Sequence, residues 1–200
     1  IQTTLAEAEP GARGITILPY FAGGRRTTIA RTVAGRFDGI TTATDRRHII
    51  QALFESLAYL VRLIVDDFAE VMSAEVTGIK ASGGLTLSPA SMQMLADVTK
   101  REIQVCSYSD TALLGASICA LRGLGWHRSF KDAADAISRH GRKRTRARAP
   151  FADQAVRFIP FKPRGSVSET YEVFYRRYLR RYGRAILHYG PRKDVRLARH

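Results

Sequence analysis

Between positions 46 and 72, apolar residues recur at 49, 50, 53, 54, 57, 61, 64, 65 and 68. That is the 3.6-residue period of a helix with one apolar face. Thr44 or Asp45 can cap its start, so the pattern predicts a long helix over Arg46–Met72. Residues 15–18 form a short apolar run stopped by Pro19, a strand or a buried extended segment. Residues 22–39, rich in Gly, Thr and Arg, read as a loop. Residues 76–81 and 102–106 read as buried strands. Ser88 followed by Pro89 pairs an N-cap with proline at the first helical position, which opens a helix through about Thr99. Asp110 caps a third helix that ends near Gly123 or Gly125, and Ser129 caps a short fourth. Ser166-Val167-Ser168-Glu169 has the spacing of a capping box. It opens a last helix with Tyr171, Phe174, Tyr175, Tyr178 and Tyr182 on one face and Arg176, Arg177, Arg180 and Arg181 on its flanks.

Helix, strand, helix, strand, helix predicts parallel strands joined by right-handed crossovers, an α/β class. The expected fold is a small, mostly parallel sheet with flanking helices and a C-terminal aromatic helix. Two clear strands make a very small sheet, so either residues 15–18 add another or further strands lie outside the chain. Three segments are expected: a domain over 1–138, a basic linker over 139–165, and a helix with a basic tail over 166–200 that packs on the domain.

Charge changes the picture most. Residues 1–138 balance 14 basic against 14 acidic side chains, so the whole net charge of +14 falls in residues 139–200. A tail of that kind can meet a polyanion, or simply remain solvated. The 45% hydrophobic content is ordinary for a globular chain. Cys106 and Cys119 are too few for a disulfide scaffold, and both fall in apolar surroundings that suggest buried thiols. The first residues have neither the basic nor the apolar region of a signal peptide. The most apolar stretch, 49–65, is interrupted by Glu55 and Arg62, so no membrane association is expected.

Candidate chemistry is sparse. Asp66, Asp67 and Glu70 cluster at the end of the long helix, where solvated charges explain them better than a catalytic pair. The histidines at 48, 127, 140, 188 and 200 have no ligand spacing, and no metal site is expected. The informative feature is Ser82-Gly83-Gly84 at a strand end, with Ser88 opening the next helix. Glycines there let a ligand approach the backbone. The helix start adds free N–H donors and a positive dipole end, and in open α/β sheets the carboxyl ends of strands form the ligand crevice.

Several segments, taken in order, carry a resemblance. Residues 14–25, GITILPYFAGGR, resemble the G-L-x-x-L-P-Y-x-x-G-E-R stretch of the FGGY carbohydrate kinases. Gly35-Arg36-Phe37-Asp38-Gly39-Ile40, then His48-Ile49, then Ala52-Leu53-Phe54-Glu55 resemble that family's second signature, continued by Ala58, Tyr59 and Arg62. Ala81-Ser82-Gly83-Gly84, Ser88-Pro89 and Met94-Leu95-Ala96-Asp97 resemble its adenosine segment. Asp110 with Leu113-Leu114-Gly115-Ala116-Ser117 resembles E-x-x-A-L-G-A-A, and the Tyr-rich last helix also fits. There are departures: Gly24 replaces a Glu, Leu85 replaces a third glycine, and Leu87 replaces a polar or basic residue.

The resemblance implies part of an actin-like, ribonuclease-H-like ATPase lobe, the C-terminal one of two. It implies an ATP-dependent sugar or polyol kinase of the cytoplasm, with ATP and Mg2+ as cofactors. Gly83, Gly84 and Ser88 would line the adenosine side. The sugar pocket, the catalytic Asp, the Gly-Thr-Ser phosphate loop and the first strands of the lobe are expected outside the chain. No catalytic residue is therefore expected within it, and the chain alone is expected to be inactive. A different class of reading keeps a non-catalytic binding module whose tail, HGRKRTRARA and the Arg/Tyr helix, touches nucleic acid or another polyanion. Nucleic acid is the weaker expectation, because tyrosines at helical spacing more often pack. A homo-oligomer stays open.

Overall fold

The structure, a computed structural model, describes residues 4, 5, 7, 9–23, 34–107, 110–140 and 157–189. In chain order its elements are β1 (Thr16–Leu18), β2 (Arg36–Asp38), α1 (Arg46–Met72), β3 (Gly78–Ala81), α2 (Pro89–Thr99), β4 (Glu102–Cys106), α3 (Thr111–Gly123), α4 (Phe130–His140), β5 (Phe158–Phe161) and α5 (Gly165–Tyr189), with short 3-10 turns at Ala12–Gly14 and Gly84–Leu87.

β3 and β4 run parallel, with Gly78 opposite Glu102 and Ala81 opposite Val105, joined through α2 as the sequence predicts. β5 then pairs antiparallel to β4, Ile103 opposite Phe161 and Cys106 opposite Phe158. A separate antiparallel pair joins β1 to β2. The sheets are therefore mixed rather than mostly parallel, and β2 and β5 arise where a loop and a linker are expected. Both are short. β5 also contains Pro160, which lacks an N–H and reads as a breaker. It is tolerated because β5 is an edge strand.

The core is layered around α2. Its Met92 and Ala96 pack on Ile103 and Val105 of β4, with Ile79, Ala81 and Phe161 alongside. Its Met94 and Val98 pack the other way, with Ala58 and Tyr59 of α1 and Tyr171, Tyr175 and Tyr178 of α5. The aromatic helix docks on α1 and α2: Tyr178 is fully buried and its ring lies 5.2 Å from that of Tyr59. Phe174 is partly buried against the same cluster. Burying a large ring contributes on the order of 2–3 kcal/mol, so three buried tyrosines make α5 part of the domain. The side chain of Tyr182 lies outside the described residues.

Two local expectations change. Ser168 is buried and its amide donates to the Arg164 carbonyl at 2.8 Å, already inside a helix that starts at Gly165, so Ser166–Glu169 is no capping box. Cys119 is exposed while Cys106 is buried. At α1 the cap is Asp45, whose carboxylate accepts from Arg47 and His48 amides while His48 Nδ1 accepts the Asp45 amide. By length and composition α1 could cross a membrane. Its Gln51, Glu55 and Arg62, however, meet protein partners, as in the core helix of a folded domain.

The buried face of α1 is not the apolar stripe that the periodicity picks out. The buried residues are Gln51, Ala52, Glu55, Ser56, Ala58 and Tyr59. Ile49 and Leu53 of the stripe pack beside Ala52, Ile15 and Ile17. Further along, Ile64 is 49% and Phe68 60% exposed.

Candidate functional site

β3 ends at Ala81, and Gly83 turns the chain with φ 97° and ψ −171°, a conformation that only glycine adopts without strain. A 3-10 turn, Gly84–Leu87, follows. The Thr86 hydroxyl and amide both donate to the Gly83 carbonyl, at 2.7 and 3.0 Å. Ser88 then caps α2, its Oγ accepting the Ser91 amide at 3.3 Å, with Pro89 at the first helical position. The Ser91 hydroxyl reaches back to the Ser88 carbonyl at 2.8 Å and the Leu85 carbonyl at 3.1 Å, which fixes the loop to the helix.

Across the crevice, β4 ends at Cys106 and Asp110 caps α3, accepting the Leu113 amide at 2.9 Å. Thr111 Oγ1 donates to Ser82 Oγ at 3.1 Å and links the two rims. Two helix starts and two strand ends therefore meet beside Gly83, Gly84 and Ser88. Space beside the glycines is open: a Cβ on Gly83 or Gly84 would find no atom within 4 Å. Leu85 and Leu87, two of the departures, stand exposed on the rim. The site thus offers bare backbone, positive helix ends and an apolar edge, with the Asp110 carboxylate engaged as a helix cap. Among the described residues, no group of His, Cys, Asp and Glu has the arrangement to hold a metal ion. Gly24 and Arg25, and residues 141–149 of the basic run, lie outside the described residues.

Of the acidic residues at the end of α1, Asp66 has a structural role. Asp66 sits 3.0 Å from Arg101 and 3.5 Å from Arg62. Arg62 also binds Glu172 at 2.7 Å and the Val98 carbonyl at 3.1 Å, and lies 4.0 Å over the Tyr175 ring. Burial works against the Glu172 charge, yet Arg62, Arg176 and Lys100 hold its pKa down to about 2. Asp97, within the segment that resembles the adenosine motif, lies away from the crevice. Fully buried, it accepts from the Arg164 amide at 2.7 Å and from its Nη2 and Nε at 2.6 and 3.0 Å, with Gln93 adding a fourth donor.

Glu55 was missed as more than a motif letter. It is buried, and accepts the Gly11 amide and Gln51 Nε2, each at 2.8 Å. Burial pushes its pKa up to about 7, against the pull of those donors and of Tyr171. Gly11 is itself held in the left-handed region, and a Cβ there would lie 2.1 Å from the Phe174 ring. The available signal was a lone acid flanked by Ala52, Ser56 and Tyr59 on one helical face.

Comparison with known proteins identifies the family. The model of the FGGY family of carbohydrate kinases, C-terminal domain, matches residues 2–124. A gluconokinase of Bacillus licheniformis is 33% identical over 152 residues, 74% of this chain and 30% of that protein. A ribulokinase of Halalkalibacterium halodurans is 33% identical over 144 residues, 70% of this chain and 25% of its own length. Among solved structures, a xylulose kinase from Rhodospirillum rubrum superposes with TM-score 0.65 at 24% identity, covering 91% of this chain and 33% of that one. A Plasmodium falciparum glycerol kinase with ADP gives TM-score 0.63 at 19% identity, covering 90% and 33%. The chain thus spans between a quarter and a third of the length of these relatives. Its fold is part of an actin-like ATPase lobe, and by the extent of the family match it belongs to the FGGY carbohydrate kinases, as a portion of their C-terminal domain.

Proposed function

We propose that this chain supplies the adenosine side of the ATP site in a kinase that phosphorylates a hydroxyl of a sugar or polyol, and that the chain alone turns over no substrate. The carrying observation is the open crevice at the carboxyl ends of β3 and β4, where Gly83 and Gly84 leave room at bare backbone between two helix starts. Those features suit a nucleotide: the unshielded backbone of Ser82-Gly83-Gly84 and the start of α2 at Ser88 would hold the nucleoside. Mg2+ finds no carboxylate cluster among the described residues and would be held through the phosphates and by the rest of the kinase. Mg-ATP, when bound, supplies the phosphoryl group, and catalysis of such transfers rests on positioning and charge stabilisation. This chain contributes the positioning. A cytoplasmic setting goes with this reading, as does a domain over 1–138 followed by the tail segments.

Titration of the labelled chain with ADP tests the site. Resonances of residues 82–90 are expected to shift with a Kd on the order of 0.1 to 1 mM, ~4 to 5.5 kcal/mol. Shifts confined to other residues overturn the assignment. Sugar-dependent ADP release by the purified chain, across pentoses, hexuloses and polyols, would overturn the inactivity.

The confinement of the +14 charge to residues 139–200 favours a second reading, a polyanion-binding tail. Tyr171, Tyr175 and Tyr178 are buried and unavailable to stack on bases. Arg176 is exposed beside Glu172, whereas Arg177 lies over Phe174 and Arg181 near Asp38. Any such binding is therefore electrostatic, insensitive to sequence, and lost steeply with salt. Tight binding that survives ~0.3 M salt contradicts it, since screening at that strength suppresses exposed charge contacts.

A further inference from the structure

The buried acid of α1 takes no part in the crevice. Both N–H donors that reach Glu55, the Gly11 amide and Gln51 Nε2, end on its Oε1. The Tyr171 hydroxyl bonds to the same carboxyl group. A neutral acid satisfies this arrangement completely: Oε1 accepts twice, and a proton on the other oxygen can be donated to the Tyr171 oxygen. The ionised form keeps its donors but is a buried charge, and none of these partners is a cation. Around it, Tyr59 on α1 feels the Glu55 charge together with Arg62 and Arg177, and Tyr171 on α5 feels Asp97 and Arg164. The segment before β1 brings only its backbone to the carboxyl, with the Glu9 and Arg13 side chains exposed.

That segment is itself strained. Gly11, Ala12, Arg13 and Gly14 follow one another in the left-handed region, at φ 97, 42, 50 and 89°. Ala12 and Arg13 carry side chains that disfavour it. The turn's own bonds are two, from the Gly14 amide to the Gly11 carbonyl at 2.7 Å and from the Ile15 amide to the Ala12 carbonyl at 3.1 Å. What holds it to the helices is Glu55 at the Gly11 amide, Gln51 Nε2 at the Glu9 carbonyl, and the Phe174 ring against Gly11. One carboxyl group thus joins a strained turn to α1 and α5.

We propose that residues 9–14 form a proton-operated clasp, shut on α1 and α5 while Glu55 is neutral and opening locally, ahead of the rest of the fold, as Glu55 becomes charged. Opening lets water reach the carboxylate and relieves the left-handed turn, at the cost of the Gly11 and Glu9 bonds. The sign follows from linkage. The shut clasp holds the Glu55 proton up to about pH 7, and an open, hydrated Glu55 releases it near 4.5. Between those values opening releases one proton, so it becomes about tenfold more favourable per pH unit. Above pH 7 both states are ionised and the effect levels off.

Amide exchange of the 200-residue chain tests this, corrected for the intrinsic effect of pH and followed from pH 5 to 8.5 beside the 13C signal of the Glu55 carboxyl. Protection of the Gly11 amide is expected to fall about tenfold per pH unit and to level off at the midpoint of the carboxyl signal. It should ignore dilute urea, whereas protection of Ile103 in the buried strand β4, lost only on global unfolding, should not. Glu55→Gln, which still accepts from Gly11 and has no proton to lose, should make Gly11 protection constant with pH. Exchange of Gly11 together with Ile103 at every pH leaves Glu55 acting on global stability alone and overturns the clasp. So does a wild-type Gly11 amide indifferent to pH or levelling off away from the carboxyl midpoint, and so does a pH dependence that survives Glu55→Gln. Should Glu55→Gln fail to fold, the wild-type comparison of Gly11, Ile103 and the carboxyl signal decides by itself.

Discussion

The two ends of α2 are built on opposite principles. Its C-terminal half is saturated: Asp97 accepts four donors, Thr99 Oγ1 donates to the Leu95 carbonyl, and Lys100 bridges Glu169 and Glu172. Its N-terminal end opens to solvent beyond Ser88, with Leu87 exposed and free space at Gly83 and Gly84. A buried acid with every lone pair used holds one geometry, whereas unfilled backbone at a helix start is available to something else. One helix thus carries the anchorage of the domain at one end and its candidate site at the other.

If this division holds, damage at the anchored end should cost stability, and damage at the open end should cost binding. The largest effect is expected at Asp97→Ala, which strands the Arg164 and Gln93 donors and loosens α5. A loss of about 3 kcal/mol should appear in urea unfolding, and a loss under 1 kcal/mol would break the comparison. Glu55 adds a pH signature to the packed side. The folded chain keeps its proton up to about pH 7, and the unfolded chain releases it near 4.5. Its contribution is therefore full below pH 4.5 and declines as pH rises toward 7, by about 3 kcal/mol. The stability difference between wild type and Glu55→Gln should change by that amount between pH 4.5 and 8, and a difference constant with pH would refute it.

At the open end, Gly83→Val mixes two causes, because any side chain at φ 97° is strained on the order of 1–3 kcal/mol. Gly84→Val separates them: Gly84 has no positive φ and its Cβ meets nothing within 4 Å. It should weaken ADP at least tenfold while shifting urea unfolding by less than about 1 kcal/mol. Unchanged ADP affinity would remove Gly84 from the site. The smallest effect is Ser88→Ala, which deletes a cap and should cost about 1 kcal/mol in thermal unfolding.

What could be read in advance followed strong local signals. α1 matched its predicted bounds, Arg46–Met72, since 27 residues with a capping Asp45 leave few alternatives. Ser88-Pro89 marked the start of α2 for the same reason. Short strands escaped: β2 has three residues, and β5 contains a proline that pairing at an edge excuses. The burial of α1 was misread because periodicity reports which face is apolar, while Glu55 and Gln51 are buried, and Arg62 is partly buried, by specific partners. The turn at Gly83 was legible from glycines at a strand end. The Asp97–Arg164 lock was not, because its partners stand 67 residues apart and nothing local marks them.

That separation has a consequence for how the protein is made. β4 waits for β5, Asp97 for Arg164, and Arg62 for a glutamate 110 residues later. During synthesis the α1–α2 pair emerges long before the segment that covers Tyr59 and neutralises Arg62. Contacts so distant in sequence form slowly, and surface left open meanwhile invites self-association. A nascent chain interrupted before residue 158 would keep its aromatic cleft open and a buried acid without its cation. Closure of this part of the fold therefore waits on α5, and until α5 is made Tyr59 stays uncovered and Arg62 lacks Glu172.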